Sequence, residues 1–233
     1  MKYLLTLILL TFTFSIAAQD STPVEIPTED GLTIIGDFYA PTDLTDETAP
    51  AVLLLHMLSS NRSAWRPLIP ELVDAGYYVL AVDMRGHGDT GGSNDWELAV
   101  TDVQVMLDWL KAQDSVGEIA TIGGSIGSNL ALIGCGNDED CVTAIALSPG
   151  LDYRGVQPQE SIVTDLAQRS ALLIGSHDDD PSGGDIPQLV ADASGEVGMW
   201  LFPGRLHGTN LLNVPFGERV IGMIVTWLDT HME

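Results

Sequence analysis

The sequence predicts an α/β fold, with a mostly parallel sheet covered by helices on both faces. Continuous apolar runs of strand length recur along the chain, segments of helical length lie between them, and most connections are short. Strands that alternate with helices form parallel sheets, because the crossover helices pack on the two faces. The sequence shows no internal repeat and no low-complexity linker, so we expect one domain over residues 19–233.

The first eighteen residues have the parts of a secretory signal peptide. Lys2 lies near the start, an apolar run follows, and small residues precede Gln19, so we expect cleavage near Ala18. A membrane anchor is the alternative, but the run is short for a bilayer span and has no basic flank after it. We therefore predict a secreted or periplasmic protein with no stable membrane association, and the choice between those two locations stays open.

The first elements after this leader are extended. Residues 24–41 form two such runs around an acidic turn at residues 29–31, which is typical of a β-hairpin. An acidic loop that ends in proline follows at residues 42–50. Residues 51–56, AVLLLH, are continuously apolar, as in a strand that is buried on both faces.

Strands and helices alternate from there onward. Residues 61–76 have helical spacing of their apolar side chains, residues 77–84 are a second buried strand, and residues 95–113 are an amphipathic helix. The remaining strands are predicted at residues 118–124, 141–150, 170–180 and 195–204, and the remaining helices at residues 125–136 and 218–232.

The composition is strongly acidic, and this excludes some partners. The chain has 33 acidic and 9 basic residues, for a net charge of -24. Nucleic acids and anionic lipid headgroups need Lys and Arg to neutralise their phosphates, so we expect neither as a partner. We expect a small-molecule substrate, and the composition leaves the oligomeric state open.

The two cysteines of the chain, Cys135 and Cys141, are separated by a short polar stretch. In an oxidising compartment such a pair forms a disulfide. A zinc site would need about two more ligands, and none lies nearby in the sequence. We therefore expect a disulfide and no bound metal.

A serine framed by glycines follows the strand at residues 118–124. Residues 123–127, GGSIG, fit the pattern G-x-S-x-G, which also occurs by chance in unrelated proteins. Here a predicted strand precedes Ser125 and a predicted helix follows it, as this motif requires. The helix start also presents free N–H groups to a developing oxyanion, the first of them on Ile126.

A serine nucleophile needs a histidine base and a carboxylate that orients the histidine. Asp178 follows one predicted strand and His207 follows the next, so the chain order is Ser, Asp, His. Strand ends of this kind converge on one crevice in an open α/β sheet. Asp179 and Asp180 are adjacent to Asp178 and stay open as alternatives.

Six segments carry a resemblance to a known family: LLLHMLSSNRSAW, DMRGHGDT, GGSIG, ALSPGLDYRG, LLIGSHDDD and FPGRLHGTNLL. Together they resemble the α/β-hydrolase superfamily of serine hydrolases, in particular the small lidless type similar to dienelactone hydrolases and bacterial esterases. The resemblance covers nearly the whole chain after the leader. It implies the α/β-hydrolase fold with an N-terminal antiparallel hairpin, and residues 151–169 are too few for a large cap.

The resemblance also assigns roles to individual residues. It implies that Ser125 is the nucleophile, His207 the base and Asp178 the orienting acid, with no cofactor. Such enzymes place a second oxyanion donor after the strand that ends in LLLH, where they usually have His-Gly. This chain has Met57 after the histidine, so either Met57 or Leu58 supplies that N–H group.

We expect the other histidines not to act as the base. We expect His56 to brace the oxyanion turn and His87 to hold a loop beside the site. His177 belongs to the turn of the acid, and we expect His231 to be solvated in the C-terminal tail.

The predicted reaction is hydrolysis of ester-like bonds in small substrates through an acyl-enzyme on Ser125. The same triad also serves peptide, lactone and thioester hydrolysis, and G-x-S-x-G does not separate these reactions. A binding protein that kept the fold and lost catalysis is a further alternative.

Overall fold

The computed structural model describes residues 20–43, 47–166 and 168–232, so the predicted signal peptide at residues 1–18 lies outside the described residues. The described residues form one eight-stranded sheet. Its strands are β1 (Ser21–Pro27), β2 (Thr33–Tyr39), β3 (Ala49–Leu55), β4 (Tyr78–Asp83), β5 (Val116–Gly124), β6 (Cys141–Leu147), β7 (Ser170–Ser176) and β8 (Glu196–Phe202).

The strand order in the sheet is β1-β2-β4-β3-β5-β6-β7-β8. Strand β2 pairs antiparallel with β1 and with β4, and every other neighbouring pair is parallel. The predicted N-terminal hairpin and the mostly parallel sheet are both confirmed. The C-terminal ends of β3, β5, β6, β7 and β8 consequently lie along the same edge of the sheet.

The described residues contain five α-helices, of which four connect strands and the last follows β8. They are α1 (Ile69–Asp74), α2 (Trp96–Lys111), α3 (Ile126–Asn137), α4 (Ser182–Asp192) and α5 (Gly217–His231). The helix expected over residues 61–76 is divided into a 3₁₀ turn at Arg62–Trp65 and the short helix α1. Pro67 and Pro70 lie in this segment, and a proline lacks the N–H group that a continuous helix needs.

The strand side chains alternate between two apolar layers. Val52 and Leu54 of β3 face the layer that contains α1 and α5, whereas Leu53 and Leu55 face the layer that contains α2 and α3. Ile186 and Leu189 of α4, Leu132 of α3 and the alanines of β6 form a third cluster. Side chains of a strand point alternately to opposite faces, so this division shows that helices cover both faces of the sheet.

The predicted disulfide between Cys135 and Cys141 is present, with 5.1 Å between the Cα atoms. It joins the last turn of α3 to the start of β6. The guanidinium of Arg169 binds the same region, because it donates to the carbonyl oxygens of Cys135, Gly136, Asp138, Cys141 and Asp165. The bonds to Cys135 and Gly136 satisfy carbonyl groups that the end of α3 leaves without partners.

The connection between β6 and β7 contains no large cap in its described part, as predicted. It has an isolated bridge between Tyr153 and Val156 and one π-helical turn at Ser161–Asp165. Among the helices in the described ranges, none is both long and apolar enough to cross a bilayer. The same ranges contain no group of three or more His, Cys, Asp or Glu side chains that could hold a metal ion.

Candidate active site

Ser125 lies in a tight turn between β5 and α3, with φ 54° and ψ -123°. Its backbone N–H donates to the carbonyl of Leu147 at the end of β6, at 2.8 Å. A positive φ is unfavourable for a residue with a side chain, and such strain is typical of functional positions. The turn therefore holds the Ser125 side chain at the C-terminal edge of the sheet.

The glycines around Ser125 are required by close contacts. A Cβ atom on Gly123 would lie 2.0 Å from the carbonyl oxygen of Gly127, and one on Gly127 would lie 2.3 Å from the carbonyl oxygen of Leu55. No side chain fits at either position. The motif thus lets α3 pass directly over the ends of β5 and β3 and fixes the turn that carries the serine.

Three side chains form a continuous hydrogen-bonded chain at this edge. Nε2 of His207 lies 2.7 Å from Oγ of Ser125, and Nδ1 of His207 lies 2.8 Å from Oδ2 of Asp179. Because a carboxylate only accepts, Nδ1 carries the proton and Nε2 is free to accept from the serine hydroxyl. The arrangement has the geometry of a nucleophile, a general base and an orienting acid.

The carboxylate that contacts His207 is that of Asp179, whereas the sequence favoured Asp178. The carboxylate of Asp178 binds the ring of His177 at 2.8 Å, and its side chain is 54% exposed. The backbone explains the difference, because the N–H groups of His177 and Asp178 continue to pair with the carbonyls of Phe202 and Gly204 beyond β7.

The chain turns inward one residue after this pairing ends, and the buried carboxylate of Asp179 then reaches His207. Asp180, the other alternative, is exposed. Of the three adjacent carboxylates, Asp179 is the one that contacts the histidine.

Two of the predicted oxyanion donors, Ile126 and Met57, lie near the serine. Ile126 is the first residue of α3 and is buried, so its N–H group belongs to the helix N-terminus that faces the site. Met57 is close as well, because a Cβ atom on Gly208 would lie 3.1 Å from Sδ of Met57 and 3.4 Å from the amide nitrogen of Ser125. Leu58 packs against the cluster that contains α2 and α3. The choice between the N–H groups of Met57 and Leu58 as the second oxyanion donor stays open.

His56 braces this turn, as predicted. The N–H group of Met84 donates to Nε2 of His56 at 3.0 Å, so Nδ1 carries the proton and donates to the carbonyl of Met57 at 2.8 Å. Burial lowers the pKa of His56 to about 4, since the charged ring would lose its hydration. The ring is therefore neutral at pH 7 and ties the oxyanion turn to the end of β4.

The remaining histidines do not contact the serine. His87 packs 5.0 Å from His56 between ring centroids and binds the carbonyl of Arg85, which matches its expected role of holding a loop. His177 is exposed beside Asp178. The expectation for His231 was wrong, because it lies in the last turn of α5 and stacks on Trp227.

One side of His207 is covered by Tyr153. The two rings meet edge to face at 6.2 Å, and the Tyr153 hydroxyl donates to the carbonyl of Ser148 at 3.1 Å. Burial and the nearby negative charge of Asp179 raise the pKa of Tyr153, so the hydroxyl keeps its proton. Sequence reasoning missed Ser148, whose only signal is its place at the end of a strand.

This strand order and this hydrogen-bonded chain define the α/β-hydrolase class. Residues 50–173, more than half of the chain, match the family model described as "alpha/beta hydrolase fold". The protein belongs to this family.

Curated relatives match shorter segments. The human protein ABHD12B is 33% identical over 84 residues, which cover 35% of this chain and 23% of that protein. Epoxide hydrolase A of Mycobacterium tuberculosis is 40% identical over 70 residues, which cover 30% of this chain and 21% of that protein. Each match spans less than a quarter of the relative's length.

Solved structures match over almost the full length. An esterase from Pyrococcus furiosus superposes with a TM-score of 0.78 at 21% identity and covers 92% of each chain. A dienelactone hydrolase from Anabaena variabilis superposes with a TM-score of 0.76 at 15% identity, over 93% of this chain and 100% of that one. At these identities the likeness shows the shared fold.

Proposed function

We propose that this protein is a serine hydrolase that cleaves ester bonds of small substrates through an acyl-enzyme on Ser125. The observation that carries the proposal is the continuous hydrogen-bonded chain from Ser125 through His207 to Asp179. A serine hydroxyl is a weak nucleophile at neutral pH, and a base in this position removes that limitation.

The first half of the reaction forms the acyl-enzyme. Oγ of Ser125 attacks the substrate carbonyl carbon while Nε2 of His207 takes the hydroxyl proton. The N–H group of Ile126, together with that of Met57 or Leu58, binds the oxyanion. When the tetrahedral intermediate collapses, His207 gives its proton to the leaving alcohol.

The second half repeats these steps with water. His207 takes a proton from water, the hydroxide attacks the acyl carbon, and the acid product leaves as Ser125 recovers its proton. Asp179 keeps the imidazole in the tautomer that has Nε2 free, and it stabilises the imidazolium that forms in both halves. The proposed steps use side chains, backbone N–H groups and water, with no cofactor.

The surroundings of the site favour small substrates. The described part of the β6–β7 connection holds no cap, and Tyr153 covers one side of His207. In that part no helical cap is present to enclose a long acyl chain. We expect short-chain aryl esters to be cleaved faster than long-chain triglycerides.

Epoxide hydrolases are among the relatives, and the serine argues against that chemistry here. If a serine opened an epoxide, the product would be an ether, which water does not hydrolyse under these conditions. A carboxylate nucleophile would form an ester that can be hydrolysed, but this position of the chain holds Ser125. We therefore expect no turnover of an epoxide such as styrene oxide.

Lactone, thioester and peptide hydrolysis remain alternatives on the same site. The Ser125, His207 and Asp179 contacts argue against a binding protein that lost catalysis, because all three are present. A panel of short-chain aryl esters, lactones, thioesters and aminoacyl amides, assayed on the protein without residues 1–18, separates these substrate classes.

The test of the mechanism is Ser125→Ala. This variant should lose several orders of magnitude in turnover and should no longer react with a fluorophosphonate probe. The exposed Ser93 offers a matched control, and Ser93→Ala should keep both activity and labelling. Turnover near the wild-type value in Ser125→Ala would contradict the proposal.

We also propose that the protein is exported to the periplasm or the medium after cleavage near Ala18. The disulfide between Cys135 and Cys141 supports this location, because such bonds persist in oxidising compartments. Expression of the full chain with an export-competent host, followed by mass measurement of the exported protein, should give a mass without residues 1–18.

A further inference from the structure

Ser148 is a buried serine with bonds to two groups beside the candidate base, the N–H group of Gly208 and the hydroxyl of Tyr153. It directly follows β6, has 0% exposure, and its backbone N–H donates to the carbonyl of Ile174 at 2.7 Å. Its Oγ accepts from the N–H group of Gly208 at 3.0 Å, and its carbonyl accepts from the Tyr153 hydroxyl. The steps of hydrolysis set out above make no use of this side chain.

The bond to Gly208 fixes the main chain at the histidine. The N–H group of Gly208 and the carbonyl of His207 belong to one peptide group, which is planar and rigid. The carbonyl of His207 accepts from the N–H group of Asn210 at 3.1 Å, so both ends of this peptide group are held. The Ser148 hydroxyl therefore restricts the backbone from which the imidazole projects.

The bond to Tyr153 fixes the other side of the ring. The Tyr153 hydroxyl is held at the Ser148 carbonyl, and the ring then stands at 89° to the ring of His207. A Cβ atom on Gly150 would lie 2.8 Å from the Tyr153 ring, so the ring is also packed from behind. The Tyr153 ring therefore limits the space on this side of the imidazole.

The backbone conformation of Ser148 is one that a residue with a side chain adopts only with strain. Its φ is 56°, in the left-handed region that glycine adopts with least strain. Around the site, Gly155, Gly204 and Gly208 also have positive φ, and so do two residues with side chains, Ser125 and Arg154. Ser148 adopts this conformation although it carries a side chain. Its hydroxyl accepts the hydrogen bond from Gly208, which a glycine at this position could not do.

We propose that Ser148 is a positioning residue for His207, which holds the imidazole in line between Ser125 and Asp179. The proposal rests on the proposed function, in which His207 is the general base. Small misplacement of a catalytic group lowers the rate strongly and need not affect substrate binding. Loss of the Ser148 hydroxyl should therefore lower kcat and leave KM nearly unchanged.

Two variants separate the hydroxyl from the backbone conformation. Ser148→Ala removes the hydroxyl and keeps the strain, whereas Ser148→Gly removes the hydroxyl and relieves it. We expect both to lower kcat by about 10- to 100-fold on a short-chain aryl ester, with KM within about twofold of the wild type. Wild-type kcat in Ser148→Gly would overturn the proposal, because the turn alone would then explain the residue.

Ser170 is a matched control. It is a buried serine whose hydroxyl donates to Oγ1 of Thr143 at 2.8 Å, but it lies at the opposite end of β7 from the site. Ser170→Ala should lower the melting temperature and keep kcat. A loss of kcat in Ser170→Ala equal to that in Ser148→Ala would show a general effect of core serines and would overturn the proposal.

A measurement without substrate distinguishes this proposal from the proposed function. The Nδ1 proton of His207, bound to Asp179, should give a downfield proton resonance in the wild type. We expect this resonance to broaden or disappear in Ser148→Gly through faster exchange, and to persist in Ser170→Ala. An unchanged resonance in Ser148→Gly contradicts the positioning role even if no ester is hydrolysed.

Inactivity of the wild type towards every substrate of the panel would instead contradict the proposed function, and the resonance test would still apply. If Ser148→Gly does not fold, Ser148→Cys takes its place, since the thiol has nearly the same shape and is a weaker acceptor. We then expect an intermediate kcat, and a wild-type kcat with a wild-type resonance would overturn the proposal.

Discussion

His207 and Asp179 share a hydrogen bond of 2.8 Å although 28 positions separate them in the chain. The neighbouring Asp178 points to solvent and binds His177 instead. Two adjacent carboxylates thus have different surroundings, and only one of them can stabilise the imidazolium of the proposed mechanism.

Replacement of each carboxylate tests this difference. Asp179→Asn should lower kcat by about 10⁴-fold, because the amide favours the wrong tautomer of His207 and does not stabilise its cation. Asp178→Asn should leave kcat unchanged and serves as the matched control. Steady-state kinetics on a short-chain aryl ester give the comparison. A larger loss of kcat in Asp178→Asn than in Asp179→Asn would show that Asp178 is the acid that orients His207.

The sequence predicted the strand, turn and helix around Ser125 because that pattern is local. A strand, a glycine turn and an apolar helix lie in one stretch around Ser125, and His207 follows the end of β8 closely. The choice among the three adjacent carboxylates is not local, since it depends on how far the residues after β7 continue to pair with the chain beyond β8. No single-sequence pattern shows where that pairing ends.

Ser148 and the helix expected over residues 61–76 show the same limit. Ser148 has bonds to Ile174, Tyr153 and Gly208, which lie far apart in the sequence, so no local pattern indicates its role. In residues 61–76 the apolar spacing was helical, but two prolines interrupt the backbone hydrogen bonds. Apolar periodicity reports which side is buried and does not report whether the helix is continuous.

Stability should fall in mild acid because of His56. The pKa of His56 is about 4 in the folded protein and 6.5 for an ordinary histidine, so the unfolded state binds a proton first as the pH falls. The stabilisation is present above pH 6.5 and is lost as the pH approaches 4, by about 3 kcal/mol. Below that range the protonated Nε2 no longer accepts from Met84.

Urea unfolding between pH 4 and pH 7.5 measures this effect. His56→Gln should reduce the slope of unfolding free energy against pH in this range, because glutamine does not titrate. The variant should also be less stable than the wild type at pH 7.5, since one of the two bonds of His56 is lost. An equal slope in both proteins would show that other groups control the acid response.

The disulfide should contribute to stability and not to catalysis. Cys135 and Cys141 close a short loop at the end of α3 opposite to Ser125, and the entropy of such a loop corresponds to about 2 kcal/mol. Cys135→Ala combined with Cys141→Ala should therefore lower the melting temperature by about 4 to 8 °C. Calorimetry measures that change, and kcat should equal the wild-type value. A large loss of kcat in the folded double variant would show that α3 transmits the change to the site.

Close packing around the turn at Ser125 predicts opposite effects of alanine at two helical glycines. Gly127→Ala should prevent folding or abolish activity, because the added Cβ would lie 2.3 Å from the Leu55 carbonyl oxygen and backbone atoms cannot move aside cheaply. Gly222 lies within α5, and a Cβ there has no neighbour within 4 Å. Gly222→Ala should stabilise the protein by about 0.5 to 1 kcal/mol through helix propensity.

Soluble yield, melting temperature and kcat of the two variants complete the comparison. The contrast depends on position, since both changes add the same methyl group to a helical glycine. An active, stable Gly127→Ala variant would mean that α3 does not cross the end of β3 as closely as the distances indicate, and the turn that presents Ser125 would then need another explanation.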